Sequence, residues 1–134
     1  MSLDPLLNAV RPIPLHALAA LAAFVLGVVL LAAPKGRLPH RTLGWIWVAL
    51  ILTVAISALW IQGHGFRLWR SFGPIHLLSI VVLVTAPLGV WYARRHRVNA
   101  HRWTMISLFT GALVIAGAFT LVPGRIMHAV AFGP

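Results

Sequence analysis

Four long apolar segments, separated by short basic stretches, dominate the pattern of hydrophobic and polar positions along this chain. An apolar run of about 18 residues or more is typical of a membrane-spanning helix, because a helix of that length crosses the hydrocarbon core of a bilayer. The pattern therefore predicts four transmembrane helices. Their expected bounds are about Ile13–Ala33, Pro39–Gln62, Pro74–Ala93 and Ala100–Val122.

Prolines mark the boundaries of these segments. Pro14, Pro39 and Pro74 stand in the first turn of a predicted helix, where the missing N–H has no intrahelical partner to lose. Pro87 lies inside the third segment, where it predicts a kink. The prolines therefore support the starts of three of the four helices.

Two sequence motifs occur once in each half of the chain. The motif Pro14–His16 at the start of the first segment returns as Pro74–His76 at the start of the third. His40–Arg41 at the start of the second segment returns as His101–Arg102 at the start of the fourth. A duplicated scaffold with proline and arginine as topological markers would explain part of this repeat, but histidine recurs at all four starts.

The repeat predicts how the four helices are arranged. Matching motifs in the two halves are separated by two membrane spans. The two halves therefore have the same topology and are related by rotation about the membrane normal. The predicted fold is all-α: an integral membrane, antiparallel four-helix bundle built from a duplicated helical hairpin. It forms a single domain over 1–134, with hairpins at about 13–62 and 74–122 and a membrane-surface tail at 123–134.

Composition and charge fit this interpretation. The chain is 60% hydrophobic and only 9% charged, whereas soluble domains contain about 25% charged residues. The chain has eleven Lys and Arg residues and one acid, Asp4, which gives a net charge of +10. These cations lie between apolar runs and form no basic face with aromatic readout residues, so the expected partner is the lipid bilayer and not nucleic acid.

The distribution of the cations predicts the orientation. Seven of them lie in the loops that join the first helix to the second and the third to the fourth, and the positive-inside rule places these loops in the cytoplasm. Both termini would then be periplasmic, in a bacterial inner membrane. The seven are Lys35, Arg37, Arg41, Arg94, Arg95, Arg97 and Arg102; the other four are Arg11, Arg67, Arg70 and Arg125.

The residue inventory excludes several kinds of chemistry. The absence of cysteine excludes disulfides, thiolate-bound iron–sulfur clusters and Cys-type zinc sites. A single carboxylate side chain excludes catalysis by paired carboxylates, and no phosphate-binding loop or nucleophile elbow is present. We therefore predict no catalytic residue, and leave open whether the chain is a membrane oxidoreductase or electron carrier.

The four helix-start histidines predict a metal cofactor. His16 and His76 fall at the outer ends of diagonal helices, while His40 and His101 fall at the inner ends of the other diagonal. Two imidazoles that face each other across an apolar bundle can ligate one haem iron. The sequence therefore predicts two b-type haems, whereas one zinc ion could not be shared across both membrane faces.

Small and basic residues near these histidines fit the same hypothesis. Gly27, Gly44 and Gly111 would let a porphyrin approach the helix backbone, and Arg41 and Arg102 would pair with haem propionates or with phospholipid phosphates. Two simpler explanations stay open. Small residues line membrane helix contacts whatever the function, and first-turn histidines can reside in the headgroup layer without binding anything.

The pattern also resembles a known bacterial family of membrane proteins. Pro39-His40-Arg41-x-x-Gly44-Trp45, then Ala100-His101-Arg102-Trp103-x-Met105, and the ending Pro123-Gly124-Arg125-x-Met127-His128 resemble domain-of-unknown-function family 2306 over about Ile13 to His128. This resemblance implies four or more spans and no settled activity. A looser likeness runs to assembly proteins of haem–copper oxidases and to two-haem b-type membrane cytochromes.

Two functions are consistent with these observations. The first is a small b-type membrane cytochrome that carries two bis-histidine haems and moves electrons across the bilayer, with quinone as a candidate partner at one interface. The second is a cofactor-free accessory or assembly subunit of a larger respiratory or photosynthetic complex. Bound pigment would distinguish them, since only the first holds haem of its own.

Overall fold

The computed structural model describes residues 1–61 and 73–133, and every regular element within them is a helix. Predictions that concern Gln62, Arg67 and Arg70 fall outside the described residues. The elements are α1 (Asp4–Leu7), α2 (Ile13–Ala32), α3 (Leu38–Trp60), α4 (Pro74–Arg94), α5 (Val98–Leu108), a π-helical segment (Phe109–Ile115), α6 (Ala116–Thr120) and α7 (Ile126–Phe132).

The four predicted transmembrane helices are confirmed as elements. Each observed bound lies within two residues of its expected position, and α5, the π segment and α6 run on as a fourth long helix, Val98–Thr120. Pro14, Pro39 and Pro74 occupy the first or second position of α2, α3 and α4, as expected. All four helices are long and apolar enough to cross a membrane.

Neighbouring helices in the sequence pack against one another. α3 contacts both α2 and α4, α4 also contacts α5, and the fourth long helix returns to α2 through the π segment. In α3, 39% of the most apolar stretch is buried inside the protein. In the fourth long helix, Val98–Thr120, the corresponding share is 11%. α3 is therefore the central helix, and the fourth long helix is the one most open to its surroundings.

Large aliphatic side chains and alanines fill the space between the helices. The outward faces are apolar as well, as expected where lipid is the surrounding medium. The buried core cluster consists of Ala23, Leu30, Trp47, Val48, Ile51, Ala55, Val82, Ala86, Leu108 and Leu113.

A close contact between helices forms around Gly27 of α2. A Cβ atom at this glycine would lie 2.6 Å from Cδ2 of Phe109 and 2.9 Å from Nε1 of Trp47. The Phe109 ring also stacks on Phe24, with 5.5 Å between the ring centroids. Gly27 therefore permits the fourth long helix and α3 to approach the backbone of α2.

The two short terminal helices lie against each other. α1 packs on α7, and Leu6 of α1 is among the most buried side chains of the described residues. At about 1.5 Å per residue, the seven residues of α7 are far too short to cross the hydrocarbon core. The expected position of this tail along the membrane surface stays a prediction.

The Gly27 contact gives a first testable prediction. We expect Gly27→Ala to destabilise the folded protein by about 1–3 kcal/mol, because the added methyl group overpacks the contact with two aromatic rings. Gly117→Ala is the matched control, since nothing lies within 4 Å of the Cβ position at Gly117. Thermal unfolding in detergent micelles measures both, and equal melting temperatures for the two variants would contradict the proposed packing.

Candidate functional site

Four histidines stand in the first turns of the four long helices. His16 is the fourth residue of α2 and His101 the fourth of α5, while His40 and His76 are each the third residue of their helix. The backbone thus places the predicted pairs at the helix starts that the sequence indicates. The hydrogen bonds of each ring then decide which of its nitrogens is available to a ligand.

The imidazole of His16 is held by α3. Its Nδ1 lies 3.0 Å from the carbonyl oxygen of Val54 and 3.0 Å from the hydroxyl of Ser57. The Ser57 hydroxyl also contacts the carbonyl oxygen of Thr53 at 2.7 Å. Because a carbonyl oxygen can only accept, the Val54 contact requires a proton on Nδ1 of His16, and Nε2 then keeps its lone pair.

His76 has the opposite hydrogen-bond arrangement. The backbone N–H of Gly73 donates to Nδ1 of His76 across 3.1 Å, which caps the start of α4. An accepting Nδ1 carries no proton, so the proton of a neutral ring lies on Nε2. The side chain is also buried, at 5% exposure.

The outer pair is consequently chemically unequal. His16 has a free lone pair on Nε2, whereas His76 has a proton there. Bis-histidine ligation through Nε2 requires a lone pair on both rings. Shared iron ligation by His16 and His76 stays a prediction, and the hydrogen bond that His76 accepts from Gly73 does not favour it.

In the inner pair, His101 is prepared for ligation. Its Nδ1 lies 2.9 Å from the carbonyl oxygen of Gly89 on α4, so Nδ1 carries the proton and Nε2 the lone pair. Metal-binding histidines typically donate their second ring nitrogen to a carbonyl or carboxylate in this way, which fixes both tautomer and orientation. Gly89 allows the close approach, because Thr104 and Met105 of the fourth long helix lie against its Cα.

His40 completes the inner pair. Like His101, it stands in the first turn of its long helix, at the basic end of the bundle. The Nδ1 atom of His40 is buried and has no hydrogen-bond partner within the described residues. Burial of an unpartnered polar atom is costly, and such an atom in a folded protein calls for an explanation by strain, solvent or a ligand.

The predicted glycines differ in their surroundings. The space beside Gly27 is already filled by aromatic side chains, whereas nothing lies within 4 Å of the Cβ positions of Gly44 and Gly111. Gly44 stands one helical turn beyond His40 in α3, and no atom lies against its Cβ position. Of the three glycines, Gly44 is therefore the one that lies a turn from a candidate ligand and has an open Cβ position.

Arg41 and Arg102 flank the inner histidines and are both exposed. The guanidinium of Arg102 lies 5.9 Å from the centroid of the Trp103 ring, where a cation–π contact restricts it. Both cations are available to a carboxylate or phosphate at this end of the bundle.

Two features of the site have no clear signal in the sequence. The indole Nε1 of Trp47 donates to the carbonyl oxygen of Ala23 across 2.9 Å. This hydrogen bond joins α3 to α2 farther into the bundle than His40. The fourth long helix contains a π segment where a uniform helix is expected, and its first residue, Phe109, lies against Gly27 of α2. No group of three or more possible metal-ligating side chains forms among residues 1–61 and 73–133; an iron held within a porphyrin needs only two.

The sequence matches the family of predicted membrane proteins called DUF2306 over residues 13–132. This match spans most of the chain, so the protein belongs to that family, as the sequence motifs indicate. Neither a curated protein nor a solved structure shows significant similarity to the chain.

The hydrogen bonds predict the tautomer of each ring. In protein prepared without haem, at alkaline pH where imidazoles are neutral, we expect the proton on Nδ1 of His16 and His101 but on Nε2 of His76. Long-range ¹⁵N–¹H spectra of histidine-labelled protein in micelles distinguish the two forms. His128 is an internal reference for the Nδ1–H form, since its Nδ1 lies 2.7 Å from the carbonyl oxygen of Leu121. A proton on Nδ1 of His76 would contradict the assignment.

Proposed function

We propose that this member of the DUF2306 family is a small b-type membrane cytochrome whose haem is held at the basic end of the bundle by His40 and His101. The observation that carries the proposal is the hydrogen-bond state of these two rings, which stand at the same end of the bundle. One has its lone pair on Nε2 fixed by Gly89, and the other has a buried Nδ1 without a partner in the described residues. Two such imidazoles would hold a haem iron.

The surroundings of the pair are compatible with haem. The Cβ position of Gly44, one turn beyond His40, is open, and the exposed Arg41 and Arg102 would bind the two propionates by charge-assisted hydrogen bonds. The packed layer around Trp47 lies farther into the bundle than His40 and His101, and it would exclude water from that side of the cofactor. These residues would bind and orient the cofactor, which supplies one-electron transfer when bound.

The outer histidines take a different place in this proposal. Transfer of electrons across the whole bilayer would require a second haem on His16 and His76. The hydrogen bond from Gly73 to His76 leaves the wrong nitrogen protonated for that role. The proposal is therefore one haem per chain, with donor and acceptor, quinone among the candidates, meeting it at the basic end.

The finer description of the fold belongs to the same proposal. His16 at the start of α2 bonds to Val54 near the end of α3, and His101 near the start of α5 bonds to Gly89 near the end of α4. Contacts between the start of one helix and the end of its neighbour support antiparallel hairpins. The sequence Leu26-Gly27-Val28 returns in the second half as Leu88-Gly89-Val90. Both glycines lie at close helix contacts, which supports a duplication.

Aromatic–cation contacts support the proposed orientation. Arg95 lies 5.5 Å from the ring centroid of Trp91, and Arg97 lies 5.4 Å from that of Tyr92. Aromatic rings and arginines concentrate where a bilayer meets water, and an excess of cations marks the cytoplasmic side. We propose that this end faces the cytoplasm of a bacterial cell, with both termini periplasmic.

A second candidate function rests on the exposure of the fourth long helix. Only 11% of its apolar stretch is buried within the protein, which leaves a broad face for another membrane helix. A cofactor-free accessory or assembly subunit of a respiratory or photosynthetic complex would use such a face. Co-purification with a large complex, without pigment of its own, would favour this candidate.

The cytochrome proposal predicts a defined spectrum. Protein purified in detergent from haem-replete cells should show reduced-minus-oxidised b-type absorption bands and about one haem per chain, as one bis-histidine site requires. His101→Ala and His40→Ala should abolish the bands, while His16→Ala should retain them. A folded but colourless preparation would contradict the proposal, and two haems per chain would contradict the single site.

A further variant separates loss of haem from loss of fold. Gly44→Leu fills the space beside His40 without changing either ligand, and we expect it to lower the haem content. Gly117→Leu introduces the same side chain at another open helical position and should keep the haem. Circular dichroism and size-exclusion chromatography show whether each variant is folded, and equal haem content in both folded variants would contradict a role for the Gly44 space.

A further inference from the structure

An open groove of about 480 Å³ lies between the start of α2 and the end of α3, at the end of the bundle opposite His40 and His101. One wall is a stripe of α3 that runs from Thr53 through Ile56 to Trp60. These residues recur at helical spacing over two turns, so the stripe is about 10 Å long. Leu15 of α2 forms part of the facing wall.

The walls of the groove offer no free hydrogen-bond donor from their hydroxyl groups. The hydroxyl of Thr53 donates to the carbonyl oxygen of Ala49 across 2.8 Å. The hydroxyl of Ser57 lies 2.7 Å from the carbonyl oxygen of Thr53 and 3.0 Å from Nδ1 of His16. Since both hydroxyls already have partners, the groove presents an apolar surface and favours a hydrocarbon chain over a quinone headgroup.

Among the residues that the structure describes, one cation lines the groove, at the end where α2 begins. Arg11 lines the groove and is exposed. The one acid of the chain, Asp4, accepts a 2.6 Å hydrogen bond from the Ser2 hydroxyl. Among the described residues no ion pair involves Arg11. Trp60, the last residue of α3, lies at the same end of the groove, and tryptophan there is typical of the membrane interface.

We propose that this groove binds one anionic phospholipid, with the phosphate on Arg11 and an acyl chain along the stripe from Trp60 to Thr53. The charge is at the interface end and the apolar wall extends into the bilayer, as in a phospholipid. A free phosphate would leave the apolar wall uncovered. The assignment concerns the opposite end from the haem site and does not depend on haem binding.

Native mass spectrometry of the whole protein tests this proposal. The protein is extracted from vesicles of phosphatidylcholine with a minor fraction of phosphatidylglycerol, and retained lipid is identified. We expect one phosphatidylglycerol per chain. Arg11→Gln should retain it about fivefold more weakly, as expected for the loss of one interfacial cation. Ile56→Trp, which fills the groove, should also lower retention.

The matched control is Arg125→Gln, which removes the same charge outside the groove. Retention equal to wild type in this control supports a specific site. Loss equal to that of Arg11→Gln would show general attraction to a basic protein and overturn the proposal. Equal retention in all variants, no retained phosphatidylglycerol in wild type, or a retained quinone that Ile56→Trp displaces would each overturn it as well.

Discussion

Hydrogen bonds from histidine rings to backbone atoms connect the helices of this protein and determine which rings remain available to a ligand. In an apolar environment a polar ring gains much from a protein partner, because lipid offers none. His16 finds that partner on the neighbouring helix, and so does His101. His76 instead accepts a bond from the chain entering its own helix. The same requirement that stabilises the bundle thus assigns a tautomer to each of these three rings.

The packing between helices has a second requirement, which is close approach of the backbones. Without a strong hydrophobic drive between helices in lipid, contact depends on small residues and well-fitted side chains. Gly27 receives two aromatic rings and Gly89 receives Thr104 and Met105. Because the carbonyl of Gly89 also holds His101, packing and ring orientation are coupled at the basic end.

Much of the fold could be predicted from the sequence, because long apolar runs and first-turn prolines are local signals. The length of an apolar run is compared directly with the thickness of the bilayer, and the missing N–H of proline directly favours a helix start. The partner of each histidine could not, since it depends on how each helix is rotated about its axis. His16 and His76 have equivalent sequence positions, yet one bonds across to α3 and the other to Gly73. Gly27 and Gly44 likewise look alike in sequence, although only Gly27 meets aromatic rings.

The π segment of the fourth long helix has a consequence for how the length of this chain can change. In a regular α-helix, removal of one residue rotates everything beyond it by about 100° and turns a lipid-facing side inward. Residues 109–115 hold a wider turn instead, and such a turn can tighten to α-helical geometry when one residue is lost. A one-residue deletion in this helix is therefore tolerated best at that turn, where it leaves the phase between the ends that hold His101 and Thr120 unchanged.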